Sequence, residues 1–317
     1  MPEHKVIAIL GPTGTGKSQL ALALAEKFAG EVVNCDSLQV YRYFDIGTAK
    51  LPTQDRRGIP HHLIDILDPD QVFSAGEYAR LARGVLAEIS HRGHVPILAG
   101  GTGFYFRALV DGLFPGPSRD QPLRDRLTSR EHRRPGSIYR LLRHFDPAAA
   151  QRIHPNDFPK LVRALEVCLL TRRAATEMFR HGRDSLQGYS VLKIGLSPHR
   201  DQLYEKLDHR TEQMFHHGLI EEVQGILVRG FPVSSKPFES HGYKQTLQLL
   251  AGELSLKEAI FYAQRNTRRY AKRQVTWFRQ EQQMEWVAGF GDDPLTIQSV
   301  LDRAGEFLMP GFGTTKS

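Results

Sequence analysis

Two cysteines, Cys35 and Cys168, are all that 317 residues contain. They lie far apart and outside any metal-type spacing, which excludes a disulfide-stapled fold and points to a reducing compartment. The fourteen histidines form no HxxxH pair, so pairs such as His61-His62 and His216-His217 read as surface or core residues rather than zinc ligands. No apolar run approaches the roughly 20 residues that a membrane span needs. Residues 1–5 lack the basic-then-apolar layout of a signal peptide. The expectation is a cytoplasmic protein without membrane contact, and a monomer. Internal repeats and low-complexity tracts are also missing. With 40% hydrophobic and 24% charged residues, the chain is an ordinary globular one, long enough for one large domain or two smaller ones.

Acid is scarce in one place. Residues 117–200 hold seventeen Lys/Arg against eight Asp/Glu, a net of +9, while the whole chain carries only +7. The excess of positive charge therefore sits in about a quarter of the chain. A solvated helical surface and an electrostatic footprint for a polyanion both fit, and charge alone leaves the two open.

Short apolar runs alternate with helical periodicity in the first hundred residues. Residues 5–10 (KVIAIL), 31–35 (EVVNC), 62–66 (HLIDI) and 95–99 (VPILA) read as strands. Residues 17–28 and 78–90 have helical spacing. This alternation predicts an α/β fold with a parallel sheet flanked by helices. From 117 to 189 no strand pattern survives, and helical stretches are broken by Pro135, Pro147, Pro155 and Pro159. Residues 191–196 (VLKIGL) then resume the core, a further helix follows Asp292, and 309–317 reads as a frayed tail. The predicted organisation is a discontinuous core of 1–116 plus 190–317, with a basic all-helical domain inserted at 117–189.

Gly11-Pro12-Thr13-Gly14-Thr15-Gly16-Lys17-Ser18 satisfies G-x-x-x-x-G-K-[ST] between a strand and a helix. That context makes it a P-loop. Its glycines let successive amides turn toward phosphate oxygens, the helix N-terminus adds partial positive charge, Lys17 adds a full one, and the Ser18 hydroxyl is placed to ligate Mg²⁺. Such a loop specifies a phosphate chain but not ATP. Asp36 follows the second strand and Thr102 exits the fourth, at the carboxyl ends where open α/β sheets bind ligands. Asp36 there could serve as a general base or reach a metal through water; helix capping is the plainer use for such an Asp, and for Thr102 a turn hydroxyl.

The blocks GPTGTGKS, DSLQVY, DIGTAK, GIPHHLIDI, GGTGFYFRALVDG, RIHPNDFPKLVRALEV and TRRYAKRQVTWFR run in order from residue 6 to about 280. With these blocks the chain resembles the tRNA dimethylallyltransferase (tRNA isopentenyltransferase) family. The resemblance implies a P-loop NTPase-like core, with Mg²⁺ as cofactor, that moves a dimethylallyl group from dimethylallyl diphosphate to an adenosine beside the anticodon. It implies that Gly11, Thr13, Gly14, Thr15, Gly16, Lys17 and Ser18 hold the donor diphosphate together with Arg210, and that Asp36 is the base. Asp36, Ser37, Leu38, Gln39 and Thr102 would touch the acceptor nucleotide. Arg124, Pro159, Lys160, Leu161, Val162 and Arg163 would contact the tRNA anticodon stem-loop.

Three positions depart from the family pattern: His241 stands where an aliphatic residue is usual, Phe104 where Leu is usual, and Pro159-Lys160 where Gln-Arg is usual. The first is expected to alter local packing or an RNA contact, and none of the three to touch the chemistry. Around residues 265–279, Arg265, Arg268, Arg269, Lys272, Arg273 and Arg279 fall on one helical stripe opposite Ala263, Tyr270, Ala271, Trp277 and Phe278. Six cations without an interleaved acid favour a polyanion. Two other readings stand beside the transferase: a P-loop small-molecule kinase, and a nucleotide-switched RNA-binding protein.

Overall fold

A computed structural model of the chain describes residues 4–114, 116–180 and 182–309. The frayed tail expected after 309 lies outside the described residues. Two compact units emerge, 1–109 joined to 187–317, and 110–186.

The first unit is built on a six-stranded parallel sheet in the order β3-β2-β4-β1-β5-β6. Its strands are β1 (His4–Leu10), β2 (Gly30–Asn34), β3 (His61–His62), β4 (Val95–Gly100), β5 (Tyr189–Leu196) and β6 (Met284–Val287). The helices among them are α1 (Lys17–Phe28), α2 (Ala75–His91) and α3 (Gly103–Val110). After β5 come α9 (Arg200–His216), α10 (Leu219–Val228), α11 (Tyr243–Leu250), α12 (Leu256–Phe278) and, beyond β6, α13 (Pro294–Leu308). β1 lies between β4 and β5, which explains its unbroken apolar run: Val6 to Leu10 are at most 1% exposed. Leu20 and Leu24 of α1 and Val300 and Ala304 of α13 close over Ile7, Ile9 and Ile194 in one core. Each such fully buried Leu or Ile contributes roughly 1.5–3 kcal/mol. α2 opens with a capping box, in which Ser74 and Glu77 each bond the other's amide.

The strand expected at 62–66 is a correction. Only His61 and His62 pair with β2, at Val32 and Val33. Leu63 and Asp65 then take φ of 60° and 56°, incompatible with a strand. Side chains hold those turns: Asn34 Nδ2 donates to the Leu63 carbonyl at 2.9 Å, and Lys50 Nζ reaches Asp65 at 2.6 Å. β6 escaped the sequence reading, because MEWV is short and half-exposed at the sheet edge.

The second unit holds α4 (Gln121–Arg133), α5 (Ser137–Phe145), α6 (Pro147–Arg152), α7 (Phe158–Thr171) and α8 (Ala175–Arg180). Asp120, Asp146 and Asp157 cap α4, α6 and α7, each followed by a proline in the first turn. Its own core joins Leu127, Ile138, Leu142, Leu161, Val162 and Leu165. Two residues expected to touch tRNA are thereby corrected. Leu161 and Val162 are 2% and 5% exposed, so their side chains pack inward, whereas Pro159 and Lys160 are exposed. Arg124 and Arg163 also have a structural use. Arg124 grips Glu166 through two bonds of 2.7 Å, Arg163 adds a third at 2.6 Å, and the Asp120 amide a fourth at 2.9 Å. Burial works against ionisation of Glu166, but these donors outweigh it and hold the carboxyl at about 2.

Removing one partner of a buried pair costs about 3–5 kcal/mol. Arg124 and Arg163 keep some solvent, so Glu166→Gln is expected near the lower end, read as a drop in the urea midpoint of the intact protein. Because the folded value lies below the ordinary 4.5, this stabilisation is complete above pH 4.5 and disappears as pH falls toward 2. A variant equally stable at pH 7 would contradict it.

Candidate active site

The phosphate cradle begins where β1 ends. Gly14 and Gly16 take φ of +83° and +82°, and a Cβ on Gly14 would lie 2.6 Å from Leu207 Cδ2. Glycine is required there for both conformation and space. Gly16 caps α1 without a side-chain hydrogen bond, and no acidic residue occupies the first turn of the helix. The amide groups at that N-terminus therefore remain open to an external anion.

Thr13, Gly14, Gly16, Lys17 and Ser18 line a cavity of about 340 Å³, with Asp36, Gln39 and Arg210 in the same wall. Thr15 is a correction at the level of its side chain: the hydroxyl is buried and donates to the Pro12 carbonyl at 2.9 Å, so only its backbone is available to a ligand. Lys17 Nζ also donates to Pro12, at 2.6 Å. Burial pushes its ammonium down to about 8; Asp36 pulls the other way and Arg210 adds to the depression. Arg210, from α9, donates to Thr13 Oγ1 at 2.9 Å. Its Nε is shielded from solvent and has no partner. Burial lowers its pKa too, with Asp36 opposing. Three cations, Lys17, Lys206 and Arg210, and an open helix end face two carboxylates, Asp36 and Asp292. The lining is net positive.

Asp36 is fixed by its neighbours. Its Oδ1 accepts from the Leu38 amide at 2.9 Å, and its own amide donates to Asn34 Oδ1 at 3.0 Å. Asn34 is anchored in turn by the Tyr78 hydroxyl on its carbonyl at 2.9 Å. Thr102 accepts from the Ser37 amide at 3.0 Å and donates to the Ser37 hydroxyl at 3.3 Å, pinning the loop that carries Asp36. The DIGTAK block closes the next side. Glu222 accepts from the Asp45 and Ile46 amides at 3.1 and 2.7 Å and from Tyr243 at 2.5 Å, while Gly47 donates to the Tyr243 oxygen at 3.0 Å. Gln39 Nε2 then bonds the Thr48 carbonyl at 3.1 Å.

A second, smaller cavity of about 60 Å³ shares Thr13, Asp36, Thr48 and Arg210 with the first and continues past them to Leu38, Met214, Leu219, His241 and Tyr270. His241, one of the three departures, lies in the wall that also carries Asp36.

Sequence reasoning missed further residues. Gln274 of α12 is buried, accepts from the Thr13 amide at 2.9 Å and donates to the Gly101 carbonyl at 2.8 Å, tying the P-loop to the β4 exit. Lys206 and Asp292 bond at 2.6 Å and line the first cavity. Gln274 stood inside a quoted block; Asp292 lies in a loop with no local motif. The stripe on α12 exists, but Arg268 pairs with Asp208 of α9, so one of its six cations is internally neutralised. Phe104 is exposed and stands edge-on to Trp277, centroids 6.4 Å apart.

For a divalent ion, the described residues contain no group of three or more His, Cys, Asp or Glu able to hold one. Ser18 and Asp36 do supply hard oxygens to the same cavity. Two protein oxygens completed by phosphate oxygens suit Mg²⁺, which keeps several waters and is seldom caged by protein alone. The residues fit the ion only in company with a phosphate ligand.

A family model described as IPP transferase matches residues 39–281. The chain belongs to the IPP transferase family. It is 64% identical to a tRNA dimethylallyltransferase of Solibacter usitatus, over 96% of this chain and 99% of that one. It is 50% identical to a protein of the same name from Koribacter versatilis, over 94% and 97%. Among solved structures, a tRNA isopentenylpyrophosphate transferase of Bacillus halodurans superposes with a TM-score of 0.72 at 37% identity, covering 96% and 97% of the two chains. A eukaryotic dimethylallyltransferase acting on tRNA reaches 0.82 at 30% identity, covering 96% of this chain and 79% of its own.

Lys17 gives a test by titration. Diphosphate draws its proton back, so affinity for inorganic diphosphate should be greatest below about pH 8 and fall as pH rises through that value. Lys17→Ala should weaken binding at least about ten-fold and flatten this dependence, by calorimetry. Unchanged affinity would remove the lysine from the cradle.

Proposed function

We propose that this IPP transferase family member transfers a dimethylallyl group from dimethylallyl diphosphate to the exocyclic amine of the adenosine 3′-adjacent to the anticodon in tRNA. The observation that carries the reading is the meeting of two cavities at Thr13, Asp36, Thr48 and Arg210. One side is a phosphate cradle; the other leads away from it past a carboxylate. The curated relatives are named for this activity, and a structural neighbour is described as acting on tRNA.

In the reaction a C–N bond forms at the amine as the allylic C–O bond breaks, diphosphate leaves, and the amine's proton passes to Asp36. The adenine amine is a weak nucleophile because its lone pair is delocalised into the ring. A carboxylate that accepts its proton typically adds 10²–10⁴-fold. An allylic carbon tolerates positive charge, so the chief demand is to stabilise the departing diphosphate. Lys17, Arg210 and the amides of Gly14 and Gly16 would do so without reorganising. Held by Ser18, Mg²⁺ would supply further charge to the same oxygens. Glu222, Tyr243 and Lys50 keep the intervening loop rigid.

The 110–186 unit carries most of the net positive segment, and its exposed Arg126, Arg130, Arg133 and Lys160 would meet the phosphates of the anticodon stem-loop. A nucleotide in a loop is cheaper to extrude than one in a duplex. The working state we assign is a cytoplasmic monomer, where tRNA and reduced cysteines coexist. Among the described residues no helix is long and apolar enough to cross a membrane.

Labelled dimethylallyl diphosphate incubated with total tRNA should place label in RNA without ATP. Label that appears only with ATP, or not at all, would overturn the proposal. Asp36→Asn should retain tRNA in gel-shift assays while losing about 10²–10⁴-fold in single-turnover transfer. Full activity would dismiss Asp36 as the base.

A further inference from the structure

Two rings wall the second cavity. His241, just before α11, and Tyr270, in α12, have centroids 4.8 Å apart and planes tilted by 49°. Both line the chamber that contains Asp36. The Tyr270 hydroxyl lies against the Thr102 side chain and feels the charge of Asp36. Its ring therefore lies between Thr102, which bonds the loop that carries the proposed base, and the imidazole. The imidazole is neutral, since burial pushes it down to about 4 and Arg273 adds to the effect. A neutral ring can stack without the desolvation cost that a cation would meet here.

An extruded base has lost its neighbours in the helix and needs a new stacking surface. RNA-reading proteins supply one with aromatic side chains, histidine included. Because the amine must meet Asp36, the purine ring has to lie within reach of whatever wall adjoins that carboxylate. Here that wall is made of two rings. The alternative occupant, the prenyl tail, offers one double bond and no ring, so it covers far less of two aromatic faces than a purine does.

We infer that His241 and Tyr270 form the stacking wall that holds the flipped adenine with its amine at Asp36, and that His241 is a positioning residue for the acceptor. This rests on the transferase reading above. Loss of one stacking ring typically weakens base binding by about ten-fold.

The test compares the wild type with His241→Ala and His241→Phe, in steady-state transfer and with tRNA carrying 2-aminopurine at the acceptor position. His241→Ala should raise the KM for tRNA about ten-fold with the donor KM unchanged, and His241→Phe should stay close to wild type. Fluorescence of 2-aminopurine should be quenched in the wild-type complex and bright with His241→Ala. A changed donor KM with an unchanged tRNA KM would assign the chamber to the prenyl tail and overturn the inference. Equal impairment by Phe and Ala would overturn stacking as the contact. If His241→Ala fails to fold, bright 2-aminopurine bound to the wild type is enough to reject it. Failure of the transferase reading is distinguishable, because wild-type enzyme would then label no tRNA at all.

Discussion

An excess of positive charge at the amino end of α1 is the constraint around which the catalytic unit is arranged. Lys17 and Arg210 are drawn out of water, Gly16 leaves the helix uncapped, and no acid sits in the first turn. Such a cluster is costly, since burial penalises both Lys17 and Arg210, Asp36 is shared between them, and Asp292 is already bonded to Lys206. The surrounding structure holds it regardless. Gln274 and Arg210 fix Thr13 from two helices, and Leu207 packs so close to Gly14 that no side chain fits there. The field persists because the loop cannot relax away from it, and a diphosphate relieves it.

Local chemistry in the sequence told most about the parts that local chemistry builds. The glycine spacing, the buried run of β1 and the periodicity of α1 each follow from residues close in the chain. Asp36 could be placed because strands of an α/β sheet present their carboxyl ends to one crevice. What stayed hidden depends on contacts across long separations. Gln274 reaches the P-loop from 261 residues away, and Asp292 closes on Gly16 from a loop without a pattern. The third strand was misread because an apolar HLIDI pattern competes with side-chain bonds from Asn34 and Lys50, and those bonds won. Leu161 and Val162 were read as one contiguous motif with Arg163, although helical periodicity alternates their faces between solvent and core.

Charge in the helical unit illustrates why a count is a weaker statement than a map. Arg124 and Arg163 enter the net positive total, yet both are committed to Glu166: Arg124 ties α4 to α7, and Arg163 pairs within α7. The same applies to Arg268 on α12, which bonds Asp208. Exposed cations such as Arg269, Lys272 and Arg279 carry no such commitment among the ion pairs of the described residues. A polyanion meets those side chains first, and the internally paired ones set where they stand.

The distinction between a kinase and a prenyltransferase comes down to where a nucleophile must stand. A phosphoryl transfer requires it in line with the terminal phosphorus, at the cradle itself. Attack on an allylic carbon requires it beyond the diphosphate, past the carbon end of the donor. Arg210 and Thr13 line both cavities, and the second is lined in addition by Leu38 and Tyr270. Asp36 lines both cavities, the one with the P-loop and the one with His241 and Tyr270. In the proposed reaction a base at Asp36 would serve a nucleophile that arrives from the second chamber and meets carbon rather than phosphorus.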